Sequence, residues 1–213
     1  MIIGILKETL EYEQRVAATP ATVKQLIKSD HSVIIENNAG EGSFISNEDF
    51  KNVGAEILES SAEIYNKSDI IFKVNPPNST ELELLNNGAT IISFFQIKDE
   101  INNIQKYINN NISILSMSHV PRTTLAQNMD ALSSQSNIAG YKATIIGADH
   151  IAKYMPLLMT AAGTIKPAKV LILGAGVAGL AAIANAKRMG AQVYAFDVRP
   201  VVKEQVESLG ANF

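Results

Sequence analysis

Residues 169–197 read KVLILGAGVAGLAAIANAKRMGAQVYAFD, and no other run in the chain restricts the fold as tightly. A buried strand, Val170 to Leu173, leads straight into Gly174-Ala175-Gly176-Val177-Ala178-Gly179. An apolar helix follows to about Met189, and a second strand from Ala191 ends on Asp197. The three glycines have separate roles. Gly174 permits the tight turn, Gly176 lets a pyrophosphate approach the backbone, and Gly179 lets the helix pack on the strand. Amide groups at the helix start, with the positive end of its dipole, hold phosphates. Asp197 stands where a carboxylate accepts bonds from an adenosine ribose 2′-OH. Glycine-rich turns alone are common, but strand, turn, helix and terminal acid together imply dinucleotide binding. The acid's charge would repel a 2′-phosphate, which favours NAD(H) over NADP(H). Val198 and Arg199 complete the candidate cofactor-binding set, and the positive charge of Arg199 tempers that preference.

The chain's 213 residues can bury a real core in one or two domains. With 46% hydrophobic and 18% charged residues and a net charge of −3, it has an ordinary globular composition. No clustered Lys/Arg stripe points to nucleic acid. The absence of Cys excludes disulfides, thiol nucleophiles and thiolate metal sites. His31, His119 and His150 lie too far apart for metal-ligand spacing, so no metal is expected; His31 reads as a solvated loop residue. The opening MIIGILKETLEYEQRV has too short an apolar stretch for a signal peptide. No uninterrupted apolar run reaches the roughly 18 residues of a membrane span, so a cytoplasmic chain is the default expectation.

Upstream of the glycine turn, short Ile/Val-rich runs alternate with polar helical patterns. Strands are expected at Ile2–Leu6, Val33–Glu36, Asp69–Val74, Thr90–Phe95 and Ile112–Met117, and helices at Ala21–Lys28, Ser61–Asn66, Glu81–Asn86 and Glu100–Ile108. Thr19-Pro20 supplies a cap and an early proline for the first helix. This alternation predicts an α/β fold with a mainly parallel, doubly wound sheet. Three segments follow: an N-terminal α/β domain over 1–120, a connector over 121–167 with a long helix from about Ile138 to Tyr154, and a second Rossmann-like domain over 168–213. The second domain is expected to be truncated after its first βαβα unit, because a dinucleotide fold needs two βαβαβ halves. An unpaired strand edge and an uncovered apolar face should result, as in one piece of a larger protein.

The stretches GILKET, RVAATPATV, PR with AQNMDALSSQSNIAGYKA, PLLMTAAGTIKPAKVLILGAGVAGL, AFDVR and KEQVESLGA together resemble a known family. They are similar to the NAD(H)-binding component, the N-terminal part of the alpha subunit, of proton-translocating NAD(P) transhydrogenase, in the superfamily shared with alanine dehydrogenase. The resemblance spans the whole chain and implies a role for four residues around the nicotinamide. Asp130 and Ser133 would bond its carboxamide, Arg122 would pair with that carboxylate and the cofactor, and Gln127 would reach toward the NADP(H) side. Leu125 stands where relatives often carry a second Arg. Read without the resemblance, Asp130 is a helix N-cap with Ser133 in the first turn, and Arg122 a surface arginine; both roles are compatible. The resemblance further implies NADP(H) held on a partner subunit, a membrane-embedded partner coupling hydride transfer to proton passage, peripheral attachment through those partners, and a homodimer.

Two other readings remain open. Amino-acid dehydrogenases of the superfamily bind a keto acid through an Arg and a Lys and use a His for proton transfer. Arg15 and Lys73 match the first two, but the His position falls on Gln96, which cannot titrate. Hydride exchange between two nicotinamides needs no protein acid, so Gln96 favours transhydrogenation. The third reading is a non-catalytic remnant that at most binds NAD. His119, just before the middle motif, reads as a hydrogen-bonded loop residue.

Overall fold

Val33, Ile34 and Ile35 are consecutive, and all three are buried. Only a strand covered on both faces has a use for such a run, since neighbouring side chains point to opposite sides. The computed structural model describes residues 1–213 and contains two compact units, Met1–Met129 and Asp130–Phe213.

The first unit holds β1 (Ile2–Ile5), α1 (Pro20–Lys28), β2 (Ser32–Glu36), α2 (Asn47–Lys51), β3 (Glu56–Leu58), α3 (Ser61–Lys67), β4 (Ile70–Phe72), β5 (Thr90–Ser93), α4 (Ile104–Asn109) and β6 (Ser113–Ser116). Its six strands pair only in parallel, in the order β3-β2-β1-β4-β5-β6. That is the strand order of a doubly wound sheet, as expected from the alternating pattern. Ile5, Val33 and Ile35 pack with Val23 of α1 and Phe50 of α2. Ile34, Ile71 and Ile91 pack instead with Ile64 and Tyr65 of α3 and Tyr107 of α4. The hydroxyl of Thr19 accepts from the Thr22 amide, and Pro20 opens α1 without losing a helical hydrogen bond.

Several boundaries differ from expectation. Glu81–Leu84 forms a 3-10 turn in place of an α-helix, and α4 begins only at Ile104. β3 and α2, the latter opened by a Ser46/Asp49 capping box, have no counterpart among the expected elements. Both are too short to show a period. His31 is half-buried, with Nδ1 shielded from solvent, and is not the solvated residue expected.

The second unit contains α5 (Ala131–His150), a hairpin of β7 (Leu158–Thr160) and β8 (Gly163–Ile165), then β9 (Lys169–Leu173), α6 (Val177–Arg188), β10 (Gln192–Phe196) and α7 (Lys203–Ser208). β9 and β10 pair in parallel, and Asn212 bridges to Tyr194 on the outer side of β10. Ile183, Ala186, Val193 and Val206 form the centre of this core. Leu171 and Leu173 of β9 remain largely exposed. The middle segment expected over 121–167 is divided: 121–129 ends the first unit, and the long helix belongs to the second. That helix starts at Ala131, well before Ile138, because Asp130 caps it and the polar Ser133-Ser134 pair forms its first turn. It packs on α6 where Gly140 meets the Ala178 carbonyl so closely that a Cβ would collide. The Thr144 hydroxyl, donating to the Gly140 and Ala182 carbonyls, ties the same contact.

Candidate functional site

The glycine turn has the conformation its residues require. Gly174 lies at φ +95°, in the left-handed region that side chains avoid, and its amide donates to the Phe196 carbonyl at 2.7 Å. A Cβ on Gly179 would collide with the Gly174 carbonyl oxygen, so only glycine lets the first turn of α6 sit on the loop. Around Gly176 the space is open: a Cβ there would meet nothing within 4 Å. Gly176 precedes α6 with no side-chain cap, while Val177, Ala178 and Gly179 form its first turn. Ala175 is buried beneath the turn.

Asp197 directly follows β10 and is bound into this turn. Its Oδ2 accepts from the Ala175 amide at 2.8 Å, and its Oδ1 from the Arg199 amide at 2.8 Å. The Arg199 guanidinium adds Nε to Oδ1 and Nη2 to Oδ2, each at 3.0 Å. That guanidinium first, and then the two backbone amides, hold the carboxyl well below the usual carboxylate range. Val198 between them is exposed. Parallel pairing of β9 with β10 thus brings all nine residues expected here, 174–179 and 197–199, to one end of the small sheet.

Among the four middle-motif residues, Asp130 and Ser133 come together at the head of α5. Asp130 Oδ1 accepts from the Ser133 amide at 2.8 Å, and Oδ2 from the Ser133 hydroxyl at 2.6 Å. The capping role expected of Asp130 is therefore real. Arg122 and Gln127 are exposed and lie in the closing segment of the first unit, Gln127 within a 3-10 stretch over Thr124–Met129. Leu125, beside them, is 94% exposed.

A polar network not anticipated from sequence lies where strand order reverses, beyond the carboxyl ends of β1 and β4. Buried Glu8 accepts from the Val74 and Asn75 amides and the Asn75 side chain. Lys73, 3% exposed, places Nζ 2.6 Å from Glu81 Oε1, and the Asn78 amide donates to the other oxygen. Arg15 lies 2.6 Å from Glu13, whose carboxyl falls to about 2 chiefly through that contact, and over the Phe94 ring at 6.0 Å. The adjoining cleft, about 260 Å³, is lined by Lys7, Glu8, Glu13, Arg15 and Glu41, among others. Glu8 sits just after β1, where ligand-contacting residues of such sheets lie, which was the available signal for that residue; Glu13 and Glu81 lie further along the chain from any strand end and carried no such signal. Gln96 is half-buried, and His119 Nδ1 is 2.9 Å from the Ser116 hydroxyl.

Comparison with known proteins accounts for both units. Residues 4–139 match the family described as alanine dehydrogenase/PNT, N-terminal domain, and residues 143–213 match its C-terminal domain. The NAD(P) transhydrogenase subunit alpha of Haemophilus influenzae is 48% identical over 213 residues, 100% of this chain and 41% of that protein. Alanine dehydrogenase 2 of Staphylococcus aureus is 31% identical over 98% of this chain and 56% of its own length. The crystal structure of transhydrogenase from Sinorhizobium meliloti superimposes with a TM-score of 0.94 at 41% identity, covering 100% of this chain and 64% of that one. The chain thus spans less than half of the Haemophilus relative. It belongs to the alanine dehydrogenase/PNT family, and within that family it is more similar to the transhydrogenase alpha subunit than to the alanine dehydrogenase.

Proposed function

We propose that this chain is the NAD(H)-binding part of a proton-translocating NAD(P) transhydrogenase, in which hydride passes between NADH held here and NADP+ on a partner subunit. One observation carries the reading: an uncapped helix start with open space at Gly176, joined by a hydrogen bond to an acid at the end of the next strand. These residues fit a dinucleotide. The open backbone at Gly176 and the amides of 177–179 would take the pyrophosphate, and the carboxylate of Asp197, flanked by Val198 and Arg199, would take the adenosine ribose. Bound there, a nicotinamide coenzyme supplies or accepts the hydride. Asp130 and Ser133 would bind the carboxamide, with Arg122 as the cationic partner and Gln127 facing the NADP(H) side. These four residues serve positioning, since transfer needs reacting carbons held about 3–3.5 Å apart.

The network at the sheet's reversal point argues against the amino-acid dehydrogenase alternative. A keto-acid carboxylate would need Arg15 and Lys73, yet each already faces a carboxylate at 2.6 Å. The cleft beside them sets Glu8, Glu13 and Glu41 against Lys7 and Arg15. Gln96 offers no titrating proton.

No helix is long and apolar enough to cross a membrane. In this reading, which rests on the transhydrogenase resemblance, the proton path lies in membrane-embedded partner subunits, and this chain sits at the cytoplasmic face, attached through them as a homodimer. The test is a transhydrogenation assay with partner subunits present, together with calorimetric NADH titration. NADH binding and NADH-dependent reduction of an NADP+ analogue are expected. Alanine-dependent NADH formation would transfer the chain to the dehydrogenase reading, and absence of NADH binding would make it a remnant.

A further inference from the structure

A carboxylate offers about four lone-pair positions, and on Asp197 all four are taken. Two hold backbone amides, Ala175 on Oδ2 and Arg199 on Oδ1, fixed by the turn and the strand end. The other two, one per oxygen, hold Nε and Nη2 of a single guanidinium. An adenosine ribose approaching this acid brings hydroxyl donors that need those same two positions. The backbone amides cannot move without undoing the turn, whereas the Arg199 side chain is 56% exposed and free to rotate into solvent.

We propose that Arg199 is a displaceable placeholder and a specificity-determining residue: it pairs Asp197 when no ribose is present, and on release it faces whatever the 2′ position carries. The inference rests on the reading of this turn as an NAD(H) site. Although the Asp197 side chain is covered, its guanidinium partner stands largely in solvent, and a solvent-screened pair is weak, so displacement lowers affinity for NADH only a few-fold. The same released cation partly offsets the repulsion between Asp197 and a 2′-phosphate, because guanidinium and phosphate make strong two-pronged bonds. Discrimination against NADPH is then milder than an unaccompanied acid would impose.

Calorimetric titration of NADH and NADPH separately, on the wild-type chain, Arg199→Ala and Arg199→Lys, tests this. Arg199→Ala should bind NADH about 2- to 5-fold more tightly, the size of an ion pair whose cation is screened by solvent. It should bind NADPH about 10-fold more weakly, as expected for loss of a charge-assisted phosphate contact. Arg199→Lys, with the charge but no fork, should lie between wild type and Ala for both ligands. Weaker NADH binding by Arg199→Ala would make Arg199 a direct ligand and overturn the placeholder role. Unchanged affinities for both coenzymes would overturn it too, while leaving the NAD(H) site standing. If neither wild type nor variant binds NADH, the site assignment falls and the placeholder falls with it.

Discussion

Replacing Glu81 with Leu removes the carboxylate placed on Lys73, a lysine whose side chain is 1% exposed at that pair. The variant leaves an ammonium in the protein interior and also strips the Asn78 amide of its acceptor. Breaking a buried pair by removing one partner costs about 3–5 kcal/mol, because the remaining charge has lost compensation but not its desolvation penalty. Urea unfolding followed by circular dichroism reads the effect. With an m-value of about 1–3 kcal/mol/M, the midpoint of the first unit should fall by at least about 1 M. Lys73→Met combined with Glu81→Leu should recover most of the loss, since buried pairs exchange for apolar side chains at little net cost. NADH affinity should stay within about 2-fold of wild type in both variants, because the turn at 174–179 belongs to the other unit. A Glu81→Leu penalty below about 1 kcal/mol, the range of an exposed pair, would refute the claim that Lys73 serves the fold and not a substrate.

Three further outcomes are expected. Gly179→Ala forces a Cβ onto the Gly174 carbonyl oxygen; overpacking of this kind costs about 1–3 kcal/mol, and NADH binding by calorimetry should weaken with it, so a variant of wild-type stability would contradict the close approach. Asp130→Asn keeps an N-cap acceptor for Ser133, so stability should change by less than about 1 kcal/mol while hydride transfer in the reconstituted enzyme falls with little change in NADH binding; equal activity would remove Asp130 from the positioning set. Glu13 is more acidic folded than its ordinary 4.5, so its contribution is complete above pH 4.5 and lost as pH falls toward about 2. Its partner Arg15 is partly exposed, which keeps the effect near about 1 kcal/mol; Glu13→Gln should flatten the acid limb of an unfolding titration over that window, and an unaltered limb would refute the pairing.

Much of the glycine-turn end of the second unit could be read in advance because its residues act locally. Gly174, Gly176 and Gly179 are demanded by turn geometry within a few residues, and Asp197 falls at a strand end about 20 residues on. The parallel strands were visible as continuous apolar runs, a consequence of burial on both faces. Short elements escaped notice. β3 spans three residues, too few for a period, and the β7–β8 hairpin is bounded by Thr160 and Gly163, with an Ala-Ala turn that carries none of the usual turn residues.

From the order of residues alone came the strand-turn-helix-acid unit, the α/β alternation and the choice of Asp130 as both cap and candidate ligand, because each depends on neighbours close along the chain. Folding decided what depends on neighbours brought from afar. It put β1 beside β4 and so gathered Glu8 with Asn75, and seated Gly140 on Ala178. Packing likewise buried Lys73, making its pair with Glu81 obligatory. Even between near neighbours, whether the Arg199 guanidinium would lie on Asp197 was settled by the turn, whose Ala175 amide fixes one carboxylate oxygen and aims the remaining lone pairs outward. A charge in a sequence has a sign; only the folded chain determines its distance from the next charge and from water, and its energy depends on both.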